Sequence, residues 1–204
     1  MTLTEALNKV CIKRSGAPVI AMGEYRPAAV MLDSTGYGNL APTYPFGVQA
    51  AEVEVDETTG KIIVKKIVAV HDSGKIFNPQ MAAGGVYGGV AQAFGFTMME
   101  QLGINNQGLL HGGTLLEYKM PTMLDVPELV ADFVETEDPH GPYGAKALGE
   151  PPIVSVLPAI ANAVYDAIGL RLDDAPFTPQ KVLKAIQRPV SYTHLRAHET
   201  TLHL

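Results

Sequence analysis

The part of this chain best equipped for chemistry is Gly141-Pro142-Tyr143-Gly144-Ala145-Lys146-Ala147-Leu148-Gly149-Glu150-Pro151-Pro152. Glycines and prolines surround a single carboxylate. Neither a regular helix nor a strand tolerates this composition, which predicts a loop of fixed shape. Glu150 stands directly before a proline, which biases its backbone toward the β or polyproline II region. Pro151 and Pro152 stiffen the chain on its C-terminal side. Gly149 removes side-chain bulk on the other side, so a ligand could approach closely. The apolar neighbours Ala147 and Leu148 would favour the protonated form of the carboxylate, which suits a general base. From the residues alone, two readings stand: the base of an active site, or a surface turn with a solvated glutamate.

The elements that must position this loop follow from periodicity. Val53 and Val55 alternate with Glu52 and Glu54, the chain turns at Glu57-Thr58-Thr59-Gly60, and it returns through Ile62 to Val70. That pattern is a β-hairpin. The return strand ends in the apolar run Ile67-Val68-Ala69-Val70, which predicts burial on both faces. It delivers the chain to His71-Asp72-Ser73-Gly74 and then to Asn78-Pro79, a good N-cap and first helical position. A helix is expected from Pro79 to about Gln101. Its interior glycines Gly84, Gly85, Gly88, Gly89 and Gly95 cost on the order of 4–5 kcal/mol relative to alanine. Gly84/Gly88 and Gly85/Gly89 are each four apart and share a face. Close approach of another helix or of a flat cofactor would offset the cost, and helix packing is the simpler account.

After a polar turn over Gly103–Gly113, Thr114–Lys119 and Leu129–Thr136 read as strands. Ile153–Ile168 reads as an apolar helix closed by Gly169. Thr178-Pro179 starts a last helix running to about Ile186. Near the N-terminus, Thr4–Lys13 reads as a short helix with Thr4 as its N-cap. Strands and helices mix without a strict βαβ rhythm, so the fold class is α+β, a mixed sheet with packed helices.

Several ordered segments are similar to one family. Gly144-Ala145-Lys146-Ala147-Leu148-Gly149-Glu150-Pro151-Pro152 resembles the active-site loop of the molybdenum hydroxylases, the xanthine dehydrogenase and aldehyde oxidase family. Val48–Asp56, His71–Pro79, Leu116–Pro127, Pro158–Gly169 and Phe177–Ile186 resemble the same family in the same order. Several ordered matches are more specific than any single motif. The resemblance implies the C-terminal half of a molybdopterin-binding subunit, with one domain over residues 1–189. It implies hydroxylation of an electron-poor carbon of a purine or other N-heterocycle with water-derived oxygen, Glu150 acting as the base. An aldehyde oxidoreductase of the same family is the nearest alternative. A non-catalytic half-subunit, or a fragment inactive alone, is another.

The resemblance further implies a molybdenum–molybdopterin cofactor, in the plain or the cytosine-dinucleotide form. Lys146, Ala147, Leu148 and Gly149 would lie near the pterin, chiefly through backbone groups, and no side chain would ligate the metal. Gly84, Gly85 and Gln92 would face the cofactor from the glycine-rich helix. The family often has Gly-Gln where this chain has Gly84-Gly85, so Gly85 departs from the pattern, while Gln92 occupies a second glutamine position. Partners implied are the N-terminal half of the subunit and iron–sulfur and flavin subunits, the last two carrying the clusters and FAD.

Composition sets the outer bounds. The chain has 204 residues, 47% of them hydrophobic, enough for a core. A net charge of −6 argues against a nucleic-acid partner. No apolar run is expected to reach the length of a membrane span, and the N-terminus lacks a signal-peptide pattern, so cytoplasm is the expected compartment. The single cysteine, Cys11, cannot build a disulfide framework or an iron–sulfur site. His71 and Asp72 lack a nucleophile motif and read as structural, and His140 reads as a solvated loop residue. Residues 190–204 shift abruptly in composition and read as a non-native tail, excluded from the fold argument. His194 and His198 within it have the spacing for a shared metal on a helix face, a reading set aside with the tail.

Overall fold

A computed structural model describes residues 1–13, 15, 20, 22–26, 29–111 and 113–187. The tail, with His194 and His198, lies outside them. The chain divides into two compact units, Met1–Pro42 and the residues from Thr43 on.

The first unit opens with helix α1, Leu3–Lys13, which carries Cys11. Its N-cap is Thr2 rather than the expected Thr4. Thr2 Oγ1 accepts from the Glu5 amide at 3.3 Å, and Glu5 Oε2 accepts from the Thr2 amide at 2.9 Å. This reciprocal pair satisfies two otherwise orphaned donors. Further on, Val30 and Asn39 form an isolated antiparallel bridge, closed by a turn in which Asp33 Oδ1 accepts from the Thr35 and Tyr37 amides.

The second unit holds the expected hairpin. Strand β1, Phe46–Asp56, pairs antiparallel with β2, Lys61–Asp72. The turn between them is built by Asp56, whose carboxylate accepts from the Thr58 and Thr59 hydroxyls and the Thr58 amide. Those bonds lower its pKa to about 2. After helix α2, Pro79–Met98, come two short strands, β3 (Gly103–Ile104) and β4 (Leu110–His111), paired antiparallel. They resolve the expected polar turn into a miniature hairpin. Strand β5, Glu128–Val134, then adds to β2 in parallel, giving the order β1-β2-β5. The sheet is mixed and the fold is α+β. As the central strand, β2 has one face fully buried (Ile67, Ala69, His71) and the other half-buried.

Asn78 caps α2 as expected, its side chain accepting from the Met81 amide at 3.1 Å. Thr114–Lys119 is not a strand. The amides of Glu117 and Tyr118 bond back to the Thr114 carbonyl, so the segment turns on itself. The apolar stretch after Glu150 is two helices, α3 (Pro151–Val154) and α4 (Val156–Ile168), with a break at Ser155. Pro158 explains the break, because its ring lacks an N–H and crowds the carbonyl four residues back. Gly169 ends α4 in the left-handed region, φ 69°, its amide bonding to Tyr165 O at 2.8 Å. Helix α5 spans Pro179–Gln187.

Val156, Ile160 and Val164 recur every four residues on α4 and are fully buried among β1, β2 and α2. Each contributes about 1.5–3 kcal/mol by leaving water. Contrary to the expectation that no apolar run is long enough, Pro151–Ile168 is 18 residues of mean hydropathy 1.3, enough to cross a membrane by length and composition. Its apolar stripe is instead the face that packs on the sheet, and the break at Ser155 interrupts it.

Candidate functional site

Strand β2 ends where the Glu150 loop begins to dock. Gly74, just past the strand, forms a bridge with Ala145. The Lys146 amide donates to Ser73 O at 2.7 Å, and the Lys75 amide to Gly144 O at 2.9 Å. Gly74 has φ 67°, and a Cβ there would lie 2.2 Å from Gly144 O. Only glycine permits both the backbone conformation and the close approach.

A side-chain latch reinforces this seam. Lys146 Nζ lies 2.7 Å from Asp72 Oδ2 and 2.9 Å from Thr136 Oγ1. The Thr136 hydroxyl also donates to Asp72 Oδ2 at 2.6 Å. The Asp72 and Lys146 side chains are 13% and 8% exposed, so the pair is shielded. Burial alone would raise the Asp72 pKa. Hydrogen bonds from Lys146, Thr136 and the Gly74 amide overcome it and hold the carboxyl down at about 2. Loop, β2 and the chain beyond β5 are thus tied at one point. Lys146 therefore uses both its amide and its ammonium inside the chain.

Beyond the latch the loop opens. Ala147, Gly149 and Glu150 line a cleft of about 670 Å³ together with Pro45, Gly47 and Val154. Leu148 turns the other way and packs against the core. Glu150 is exposed, so this chain does not supply the apolar enclosure expected from its neighbours. Its backbone is also not extended: φ −94° and ψ −28° lie in the right-handed helical region. The bias against that region before proline is outweighed because Glu150 is the entry to α3, and its carbonyl accepts from the Ile153 amide at 2.9 Å.

The glycine-rich helix divides in its behaviour. A Cβ on Gly89 would lie 2.9 Å from Pro152 Cβ, so α2 and α3 pack closely there. Among the described residues, a Cβ on Gly84, Gly85 or Gly88 would have no neighbour within 4 Å. Helix packing accounts for Gly89 alone of these four. Gly85, Gly88 and the exposed Gln92 recur at three- and four-residue spacing and share an open face. Bare helix backbone on that face, and glycine at Gly149 in the cleft, suit close approach of a flat group. In those respects the residues present fit a pterin cofactor.

Sequence reasoning passed over Asp72, Thr136, Gln49 and His71 as parts of the site. Asp72 and Lys146 are 74 residues apart, so no local spacing links them. The strand alternation Ile67, Ala69, His71 did carry a signal, since it places the imidazole on the buried face. His140 is exposed, with its amide bonded to Asp138 Oδ1.

Comparison with known proteins shows the family. A family profile described as molybdopterin cofactor-binding domain matches residues 1–127. The chain belongs to that family. It is 42% identical over 138 residues to the putative xanthine dehydrogenase molybdenum-binding subunit of Escherichia coli (strain K12), covering 67% of this chain and 18% of that protein. It is 35% identical over 148 residues to the carbon monoxide dehydrogenase large chain of Hydrogenophaga pseudoflava, covering 71% and 18%. Among solved structures, the aldehyde oxidoreductase from Desulfovibrio desulfuricans superposes with a TM-score of 0.73 at 34% identity, over 85% of this chain and 19% of that one. The chain thus spans about a fifth of the length of these relatives.

Proposed function

We propose that this chain forms part of a molybdenum hydroxylase that oxidises an electron-poor carbon of a purine or other N-heterocycle, with oxygen derived from water and Glu150 as the base. The observation that carries the reading is the placement of Glu150. It lines the glycine-flanked cleft on a loop whose upstream end is fixed by the Asp72–Lys146 pair. The bound cofactor would supply the two-electron redox chemistry and the activated oxygen. The chain's own contribution is positional and acid–base. Glu150 accepts a proton at its carboxylate, Gly149 admits the reacting groups, and the latch fixes where the carboxylate stands. On the helix side, Gly84, Gly85 and Gln92 would meet the cofactor. Ala147 and Gly149 would approach it from the loop, and Lys146 and Leu148 would hold that stretch in place.

Turnover is proposed for the assembled protein, with the N-terminal half of the subunit closing the cleft and iron–sulfur and flavin subunits removing electrons. The cofactor proposed is molybdopterin in either the plain or the cytosine-dinucleotide form, and cytoplasm is the compartment proposed. A second reading, oxidation of an aldehyde, draws support from the fold likeness to the Desulfovibrio desulfuricans enzyme. Steady-state assays with xanthine, nicotinate and an aldehyde separate the two. Replacing Glu150 by Gln in the assembled enzyme is expected to abolish turnover while molybdenum content stays at the wild-type level. Retained turnover would overturn the base assignment.

A further inference from the structure

Behind the cleft, on the buried face of the hairpin, lies a polar pair that the proposed chemistry does not use. Gln49 on β1 donates through Nε2 to the carbonyl of Pro152 at 2.7 Å, joining residues 103 apart. The same nitrogen lies 3.4 Å from Nε2 of His71 on β2. A carbonyl oxygen can only accept, so the Gln49 atom facing Pro152 is the amide nitrogen. That orientation makes His71 Nε2 an acceptor as well, and puts the imidazole proton on Nδ1. His71 is 1% exposed, and among the described residues neither its Nδ1 nor Gln49 Oε1 has a hydrogen-bond partner. Buried polar groups are kept at a cost of about 1–3 kcal/mol when unpaired, so an orphan here calls for an account.

Position suggests one. Gly47 lines the cleft beside Glu150, and a Cβ on it would lie 2.4 Å from His71 Nδ1. The imidazole therefore stands directly behind the cleft wall. Pro152 is two residues past Glu150, and neither Pro151 nor Pro152 has an amide to anchor it. The turn between Glu150 and α3 is held by the Ile153 amide on Glu150 O and by Gln49 on Pro152 O.

We infer that Gln49 and His71 are positioning residues for Glu150: the neutral imidazole orients the Gln49 amide, and that amide fixes the Glu150–Pro152 turn from behind the cleft. The inference rests on the reading of Glu150 as the base, and its test separates the two. Gln49→Met keeps the side-chain length and removes the donor. In the assembled enzyme it is expected to lower kcat on the order of 10- to 100-fold, the scale of a misplaced reacting group. KM and molybdenum content stay unchanged. Hydrogen–deuterium exchange at the Ile153 amide becomes faster, a readout independent of turnover. His71→Leu behaves alike, whereas His71→Gln, whose amide oxygen can stand where Nε2 does, retains most of the rate. Added to Glu150→Gln, the Gln49→Met change lowers the residual single-turnover reduction rate no further.

Unchanged kcat with unchanged exchange would overturn the inference. So would a fall in kcat without faster exchange, because the effect would not pass through the turn. Faster exchange with wild-type kcat would also overturn it, since the turn would be held without placing the base. Should Gln49→Met fail to assemble, Gln49→Asn shortens the reach and is read the same way. If Glu150→Gln itself retains turnover, the base assignment falls and the positioning role falls with it. Faster exchange in Gln49→Met would then still establish the contact as a clamp on the turn.

Discussion

Upstream, the Glu150 loop is sewn to the sheet: Gly144 and Lys146 bond to the chain beyond β2, and Lys146 reaches Asp72 and Thr136. A few residues on, Gly149 and Glu150 face a cleft; Gly84, Gly85 and Gly88 on α2 do not line it, but a Cβ there would meet no neighbour within 4 Å among the described residues. The first region ties its charged groups and loop amides to its own chain, while the buried Ser73 Oγ finds no partner among the described residues. The second keeps space and one carboxylate. Side chains are spent on holding the loop where it joins the sheet and are withheld where a ligand would enter. That division explains why one stretch of chain can be both costly in glycine and fixed in place.

The sharpest way to break the contrast is to cut the latch. Lys146→Met leaves the largely shielded Asp72 without its cation while the Thr136 and Gly74 donors remain, and losing a hydrogen bond to a charged group costs about 1.5–3 kcal/mol. Chemical denaturation of the assembled protein should show a loss on that scale, and Lys146→Met combined with Asp72→Asn should lose less than the two single changes summed. A loss under about 0.5 kcal/mol, the usual scatter of surface changes, would place the pair among ordinary surface contacts. Gly74→Ala should come next. It combines left-handed backbone with a clash on Gly144 O, and such strain costs roughly 1–3 kcal/mol.

A pH series sharpens the same comparison. The folded Asp72 carboxyl titrates at about 2, below its ordinary value of 3.8. Because the folded pKa is depressed, the stabilisation is complete above the unfolded value. It is lost as pH falls from about 4 through about 2. Asp56, also lowered to about 2, titrates in the same window. The difference between wild type and Asp72→Asn therefore isolates the latch, and it should shrink across that window. A constant difference would contradict the assignment.

The smallest effect is expected on the open side. Gly84→Ala and Gly88→Ala meet no neighbour, so each should stabilise the fold by up to about 1 kcal/mol. In the assembled enzyme the same changes should lower cofactor content if the face receives the cofactor. Stabilisation with full cofactor content would assign that face another role.

Much of the frame was legible in the sequence where the signal is local. Alternation in β1, the Glu57–Gly60 turn, the Asn78-Pro79 cap and the Gly169 stop each act within a few residues. Elsewhere the reading failed or stayed silent. Thr114–Lys119 has the composition of a strand but closes on its own carbonyl at Thr114. Glu150 takes the helical conformation because α3 begins there, against the preference set by Pro151. The latch joins β2 to the loop across 74 residues, and the Gln49–Pro152 contact spans 103, distances at which spacing carries no information. The glycine-rich helix was the intermediate case: its cost was readable, but only the structure separates Gly89, packed on Pro152, from its open neighbours.

The most direct test of the central claim is the rate at which substrate reduces the assembled enzyme anaerobically, in a single turnover, for wild type and Glu150→Gln at equal molybdenum content. The account predicts a loss of at least about 10²-fold, the lower end of what a positioned general base contributes, with the cofactor still bound. Reduction of the Glu150→Gln enzyme at the wild-type rate would contradict it.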